Sequence, residues 1–176
     1  MALVAALVAM LAGCSELPAP GPQTTPSPTV DGQATLVRVV DGDTVVARIA
    51  GHDERVRLIG IDTPESVKPA SPVECFGKEA SRHLTSLLPS GTALRLVGDA
   101  EPRDRYGRLL AYVYREPDGL FVNEAMARDG FAAPLSIPPN VAHRAELVAA
   151  ARNAHGSRKG LWGACSDADV SALASG

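Results

Sequence analysis

Short runs of alternating and β-branched apolar residues fill the first half of the chain, and helical spacing takes over later. Residues 35–40 (TLVRVV) and 44–49 (TVVARI) are two such runs separated by Asp-Gly-Asp. That separator is a turn signature, so the pair predicts a β-hairpin. Residues 55–61 (RVRLIGI) predict a third strand. Over 77–88 the apolar period changes: Ala80, Leu84, Leu87 and Leu88 fall at i, i+4, i+7 and i+8, one face of a helix. Strands follow near 92–97 (TALRLV) and 109–114 (LLAYVY). Val122, Ala125 and Met126 define a short helix. A last helix is expected after Pro138-Pro139-Asn140, with Asn140 as N-cap, running to about Ala154. The order β-β-β-α-β-β-α-α, with a helix between the third and fourth of five strands, matches an α+β chain on an OB-type barrel.

The flanks have a different character. Residues 2–12 (ALVAALVAMLA) are uncharged and apolar, too short for a standard membrane span but suited to the apolar part of a signal peptide. The run ends in Leu11-Ala12-Gly13-Cys14, which resembles a bacterial lipobox. Residues 1–14 are therefore expected to be a lipoprotein-type signal with Cys14 as the lipidation site; the alternative is an ordinary secretory cleavage site. Diacyl anchoring would hold the protein to a membrane, where one acyl chain would not. Residues 15–33 are rich in Pro, Ser and Thr and read as an extended linker. The folded domain is expected over 34–165, with 166–176 as a flexible tail. These features place the protein outside the cytoplasm, on the cell membrane or secreted.

Charge adds little by itself. All 17 Lys and Arg but only 16 of the 20 Asp and Glu lie within 34–165, so the domain is nearly neutral. Any binding of polyanions must then come from local arginines or a metal ion, not from the overall field. Arginine outnumbers lysine 14 to 3, and its planar fork is the better match to phosphate. With Cys14 lipidated, Cys75 and Cys165 are left to form a disulfide in an oxidising compartment, or to stand as separate thiols. His52, His83, His143 and His155 show no zinc-ligand spacing with the cysteines and read as surface or helix-polar residues.

Two acidic clusters lie at the ends of neighbouring strands: Asp41-Gly42-Asp43-Thr44 and Ile61-Asp62-Thr63-Pro64-Glu65. Asp43 and Asp62 can meet at one barrel rim. Two carboxylates with a backbone carbonyl make a hard-oxygen site suited to Ca²⁺. Glu65 lies close enough in sequence to reach the metal's outer shell or a bound water. Arg57 precedes Asp62 on its strand, and Arg108 closes the turn Asp104-Arg105-Tyr106-Gly107-Arg108. Two arginines, carboxylates and a metal ion together suit a phosphodiester ligand. Asp41 and Asp104 read as turn-shaping residues, Arg38, Arg48, Arg55 and Arg95 as solvated strand faces, and Trp162 as a C-terminal packing residue.

The blocks VRVVDGDTVVARI, VRLIGIDTPES, FGKEA, DRYGRLLAYVY, VNEAMARDGFA and KGLWG resemble the staphylococcal nuclease family, in order, over roughly residues 34–163. The resemblance implies an OB-fold five-stranded β-barrel with three helices. It implies a Ca²⁺-dependent endonuclease acting on DNA or RNA, working as a monomer. Asp43 and Asp62 match the calcium-binding carboxylates, and Thr63 the residue that offers its main-chain carbonyl. Glu65 matches the general base, Arg57 and Arg108 the phosphate-holding arginines, and Arg105 and Tyr106 positions beside the bound nucleotide. The chain departs from the family at 131–140 (FAAPLSIPPN), where Leu135 and Ile137 stand in place of base-pocket tyrosines, and at 66–74, where Lys68 is the only lysine. Both departures imply weaker substrate binding, since stacking on an aromatic ring is worth ~1–3 kcal/mol per base. The competing reading is an OB-fold surface lipoprotein that binds nucleic acid with little or no cutting.

Overall fold

The β-branched runs flanking Asp-Gly-Asp fold as the expected hairpin, β1 (Gly32–Asp41) and β2 (Thr44–Ile49), with Asp41 opposite Thr44. The computed structural model describes residues 32–66 and 74–173; the signal segment with Cys14, nearly all of the linker, and Lys68 lie outside the described residues. The first strand begins slightly earlier than expected. Gly32 and Gln33, placed by sequence in the linker, pair with Leu96 and Arg95 of β5 (Ala93–Val97).

β3 (His52–Leu58) pairs with β2, and β6 (Leu109–Arg115) with β5, both antiparallel. β6 also runs parallel to β3, with Val56 opposite Leu109. That last ladder closes a mixed five-stranded barrel in the order β3-β2-β1-β5-β6, the OB-type architecture of the α+β class. Closure leaves these five strands without an unpaired edge, apart from the short β7 (Leu120–Phe121) beyond β6. Leu36, Val45, Val56, Leu58, Leu94, Leu96 and Val113 fill the interior.

The third strand is shorter than its apolar run suggests. It ends at Leu58, and β4 (Gly60–Asp62) turns away to pair with β8 (Ala133–Leu135). Gly60 makes the break, with φ +83°, and a Cβ there would run into the side chain of Leu147. The interruption strands the Ile59 carbonyl. Asn123, fully buried, donates its Nδ2 to that carbonyl at 2.8 Å and accepts the Val113 N–H at 2.9 Å. One side chain thereby pins β4 to β6, and with it the position of Asp62.

The three expected helices are α1 (Gly77–Leu87), α2 (Val122–Arg128) and α3 (Arg144–Gly156). Asn140 does not cap α3. It is buried and brackets Glu101 instead, accepting its N–H at 2.8 Å and donating to its carbonyl at 2.9 Å. Asp99 takes the Ala142 N–H at 3.0 Å, so 140–142 is bound across the 99–101 loop and the helix starts only at Arg144. Two short helices follow, α4 (Leu161–Ala164) and α5 (Asp167–Leu173). The second occupies most of the expected flexible tail. Its start is a capping box in which Ser166 and Asp169 satisfy each other's backbone N–H groups, and Leu173 packs in a small cluster with Ala133 and Leu161. Trp162 packs between this cluster and the main core, as a C-terminal packing residue should.

Cys75 and Cys165 are joined by a disulfide, their Cα atoms 5.9 Å apart, across a sequence separation of 90. It ties the segment entering α1 to the junction of α4 and α5. In the chain-entropy account, a loop this long restricts the unfolded chain strongly. Reduction, or Cys75→Ser, is expected to lower stability by roughly 2–5 kcal/mol, read as a fall in the urea midpoint at unchanged slope.

Candidate active site

The hairpin turn and the end of β4 meet on one rim of the barrel. Asp43 is buried in the turn, at 6% exposure. Its Oδ2 accepts the Thr63 N–H and the Thr63 hydroxyl, each at 3.2 Å, and its Oδ1 accepts the Thr44 hydroxyl at 3.0 Å. Gly42 permits this closure. A Cβ at that position would stand 2.6 Å from Thr63 Oγ1 and 2.9 Å from the Ala80 Cβ, so any side chain would push the turn off both β4 and α1.

Arg57, with 14% of its side chain exposed, crosses the same space. Its Nη1 donates to the carbonyls of Leu58 (2.8 Å) and Ile61 (3.0 Å) and lies 3.0 Å from Asp43 Oδ2. Its Nη2 donates to Asp62 Oδ1 at 2.7 Å. The guanidinium therefore holds both predicted metal-ligating carboxylates and the chain reversal between them.

One arginine does not balance the negative charge at this rim. Asp41 accepts the Asp43 N–H at 3.2 Å, and burial, then the Asp43 charge, pushes its carboxyl up to about 7. Burial likewise raises Asp62 to about 6; Arg57 opposes the shift, while Asp43, Glu74 and Glu65 add to it. Asp41, which in sequence reads as a turn residue, thus belongs to the acidic cluster. The signal was the Asp-Gly-Asp spacing, which puts both carboxylates at one turn. Among the described residues no three His, Cys, Asp or Glu side chains form a ready-made metal cage. What the rim offers instead is the Asp43 and Asp62 carboxylates, converging on Arg57 beside Thr63, amid carboxylates that repel one another. Such a set fits a hard cation that completes its shell with water.

Glu65 follows Thr63-Pro64 and is held through its main chain. Its N–H donates to Glu74 Oε2 at 2.9 Å, and its carbonyl accepts the Glu74 N–H at 3.0 Å. Gly77 packs so closely that a Cβ there would stand 2.6 Å from the Glu65 carbonyl oxygen. Glu74, beside the disulfide, was not singled out in sequence; its role depends on contact across a loop.

The 104–108 turn forms the other wall. Asp104 accepts the N–H groups of Tyr106 and Arg108, both at 2.9 Å, and pairs with Arg108 Nε at 2.7 Å. Although burial alone would raise Asp104, the bonds from Arg108 hold it below its usual range. Arg103 bridges this turn to β3 by donating to the Gly107 carbonyl (2.9 Å) and to Glu54 (3.0 Å). Tyr106, 69% exposed, stands under two guanidiniums: Arg105 lies 4.8 Å and Arg108 5.6 Å from its ring centroid, and Arg105 donates to its hydroxyl at 2.7 Å. Arg55, Tyr106, Gly107 and Arg108 line an open pocket of about 310 Å³.

Arg48 and Arg95, read in sequence as solvated, pair with Asp53 and Glu116. Arg55 differs, since it enters the pocket. Two of the histidines have packing roles: His83 stacks on Phe131 and meets Asp129, and His143 packs on Tyr112, while His52 is exposed. Leu135 lies on β8 opposite Gly60, beside the strand that carries Asp62, and Ile137 is 61% exposed.

Residues 55–164 match the family described as Staphylococcal nuclease homologue. The chain is 44% identical over 147 residues to a thermonuclease of Staphylococcus intermedius, covering 81% of this chain and 83% of that protein. It is 39% identical over 131 residues to the thermonuclease of Staphylococcus hyicus, covering 72% and 73%. It is 35% identical over 129 residues to the endonuclease YncB of Bacillus subtilis, covering 73% and 60%.

The raised carboxyls make stability depend on pH in a definite direction. Between the ordinary range of a free Asp and their folded values of about 7 and 6, Asp41 and Asp62 bind more protons folded than unfolded. Stability of the metal-free protein must then fall as pH rises through that window. Urea unfolding in chelator at successive pH values should show this slope, and Asp41→Asn should make it shallower.

Proposed function

The chain belongs to the staphylococcal nuclease family, and from that premise we propose that it is a Ca²⁺-dependent endonuclease hydrolysing phosphodiester bonds of DNA or RNA. The observation that carries this reading is Arg57 seated between Asp43 and Asp62, with Arg108 on the adjoining strand end. Anion-holding and cation-holding groups are interleaved at one rim, as a phosphodiester and a metal ion together require.

Asp43, Asp62 and the Thr63 carbonyl are the groups that would hold the ion. Bound there, Ca²⁺ would neutralise charge developing on a phosphoryl oxygen. Arg57 and Arg108 present guanidinium edges to the other oxygens of the scissile phosphate, where charge builds as water attacks phosphorus. As folded, Arg57 spends its Nη atoms on carboxylates and carbonyls, so substrate binding must draw part of it toward phosphate. Glu65 takes the proton from the attacking water as the water oxygen bonds to phosphorus; the P–O bond to the leaving oxygen breaks, and that oxygen takes a proton from solvent. The main-chain grip of Glu74 and Gly77 fixes where the Glu65 carboxylate starts. Arg105 and Tyr106 flank the nucleotide, while the loss of aromatic rings at Leu135 and Ile137 weakens base stacking.

We place the protein outside the cytoplasm, acting as a monomer. The support is the apolar run at 2–12, the lipobox-like Leu11-Ala12-Gly13-Cys14 with its implied membrane anchor, and the Pro-rich linker. The Cys75–Cys165 disulfide agrees with an oxidising compartment.

Purified protein should cut single-stranded DNA, duplex DNA or RNA in calcium and stop in excess chelator. Arg57→Lys and Arg108→Lys should each lose ~10²–10³ in kcat, because lysine keeps the charge without the bidentate fork. Glu65→Gln should lose turnover and keep most oligonucleotide affinity. A folded protein that binds calcium without cutting any substrate would favour the binding-module reading.

A further inference from the structure

Among the described residues Arg55 of β3 has no side-chain hydrogen-bond or ion-pair partner, and it lines an open pocket. It lies two residues before Arg57 on β3, and both are more exposed than Val56 and Leu58, which point into the barrel. The parallel register of Val56 opposite Leu109 sets Arg55 alongside Arg108. Tyr106 and Gly107 complete the pocket of about 310 Å³. The walls are braced from outside the pocket, because Arg103 joins Glu54 of β3 to the Gly107 carbonyl.

The charge within this pocket is unequal. Arg108 is paired with Asp104, and Arg105 is turned onto the Tyr106 hydroxyl. Arg48, Arg95, Arg103, Arg115 and Arg128 each hold a carboxylate. Arg55 alone of the pocket's cations retains its full hydrogen-bonding capacity. Two residues along a strand span roughly 6–7 Å. That is comparable to the spacing between neighbouring phosphates of an extended nucleic-acid strand.

We propose that Arg55 binds the phosphate next to the scissile one, so that Arg57 and Arg55 hold successive phosphates of a single strand threaded past Tyr106. The site takes a phosphodiester or terminal phosphate, not a base. It partly replaces the affinity lost where the chain carries Leu135 and Ile137, and it favours chains over isolated dinucleotides. The inference rests on the nuclease reading for the identity of the scissile phosphate, but its test needs no cutting.

The test measures binding of a fluorescent single-stranded oligothymidylate across a salt series, in the Glu65→Gln background with calcium. Arg55→Ala should weaken binding about tenfold and reduce the slope of log affinity against log salt by ~0.7, the loss of one single-strand phosphate contact. Arg55→Lys should recover most of that slope, a rescue that a packing role would not show. The loss should be larger for the oligothymidylate than for a dinucleotide with one internucleotide phosphate. Unchanged affinity and slope in a folded Arg55→Ala protein would overturn the proposal. Equal losses on both ligands would also overturn it, by moving Arg55 onto the scissile phosphate. Failure of the unsubstituted protein to cut would instead count against the nuclease reading and leave the binding result standing.

Discussion

Arg57 is the fastener of this molecule. A single guanidinium, largely withdrawn from solvent, donates to the carbonyls at the end of β3 and before Asp62, and pairs with both Asp43 and Asp62. Removing one partner from such a buried set leaves an uncompensated charge, which costs far more than the pair contributes. The chain reversal at 59–60 and the hairpin turn at 42–43 therefore stay in register because the same group needs both. The residue that organises the rim is also the one proposed to grip the substrate. Stability and activity are thus coupled through it, and the crowded carboxylates around it are a strain that suits a cation-binding surface.

The barrel's closing ladder supplies the rest of the site. β3 and β6 are far apart in sequence and meet in parallel, with the 104–108 turn leading directly into β6. That pairing brings Arg55 of β3 beside Tyr106 and Arg108, with Arg57 two residues further along the strand. Gly60 and Asn123 do the complementary work: the first turns β4 away from β3 and the second pins it to β6, which sets Asp62 beside the hairpin turn. The catalytic candidates come from loops and strand ends, and each is held by a named partner: Asp43 and Asp62 by Arg57, Glu65 by Glu74, and Arg108 by Asp104.

Much of this was legible in the residues. β-branched runs around Asp-Gly-Asp specify a hairpin locally, and the apolar period over 77–88 specifies α1 locally. Asp43, Asp62, Thr63 and Arg57 do converge as their spacing suggested. What escaped was decided at long range. The run RVRLIGI holds only Gly60 as a weak break signal, and whether it breaks there is decided by Leu147 of α3, which occupies the space beside it. Asn140 has the chemistry of an N-cap but is claimed by the backbone of Glu101. Arg55 alternates like a solvated strand residue, and only the β3–β6 register reveals its neighbours. α5 was announced by Ser166 and Asp169, yet its polar composition resembles a tail until Leu173 finds a buried seat.

The bond between Cys75 and Cys165 also governs what happens if the backbone is cut. The turn at 116–119, between β6 and β7, is exposed, as points of proteolytic nicking are. It lies inside the covalent loop, so a cleavage there yields two fragments that cannot diffuse apart. The amino-terminal fragment would carry Asp43, Arg57, Asp62, Glu65 and Arg108, while the carboxy-terminal one would carry Asn123 and α3 that buttress them. The nicked molecule would thereby remain one covalent unit, its two chains joined by sulfur where the peptide has been lost.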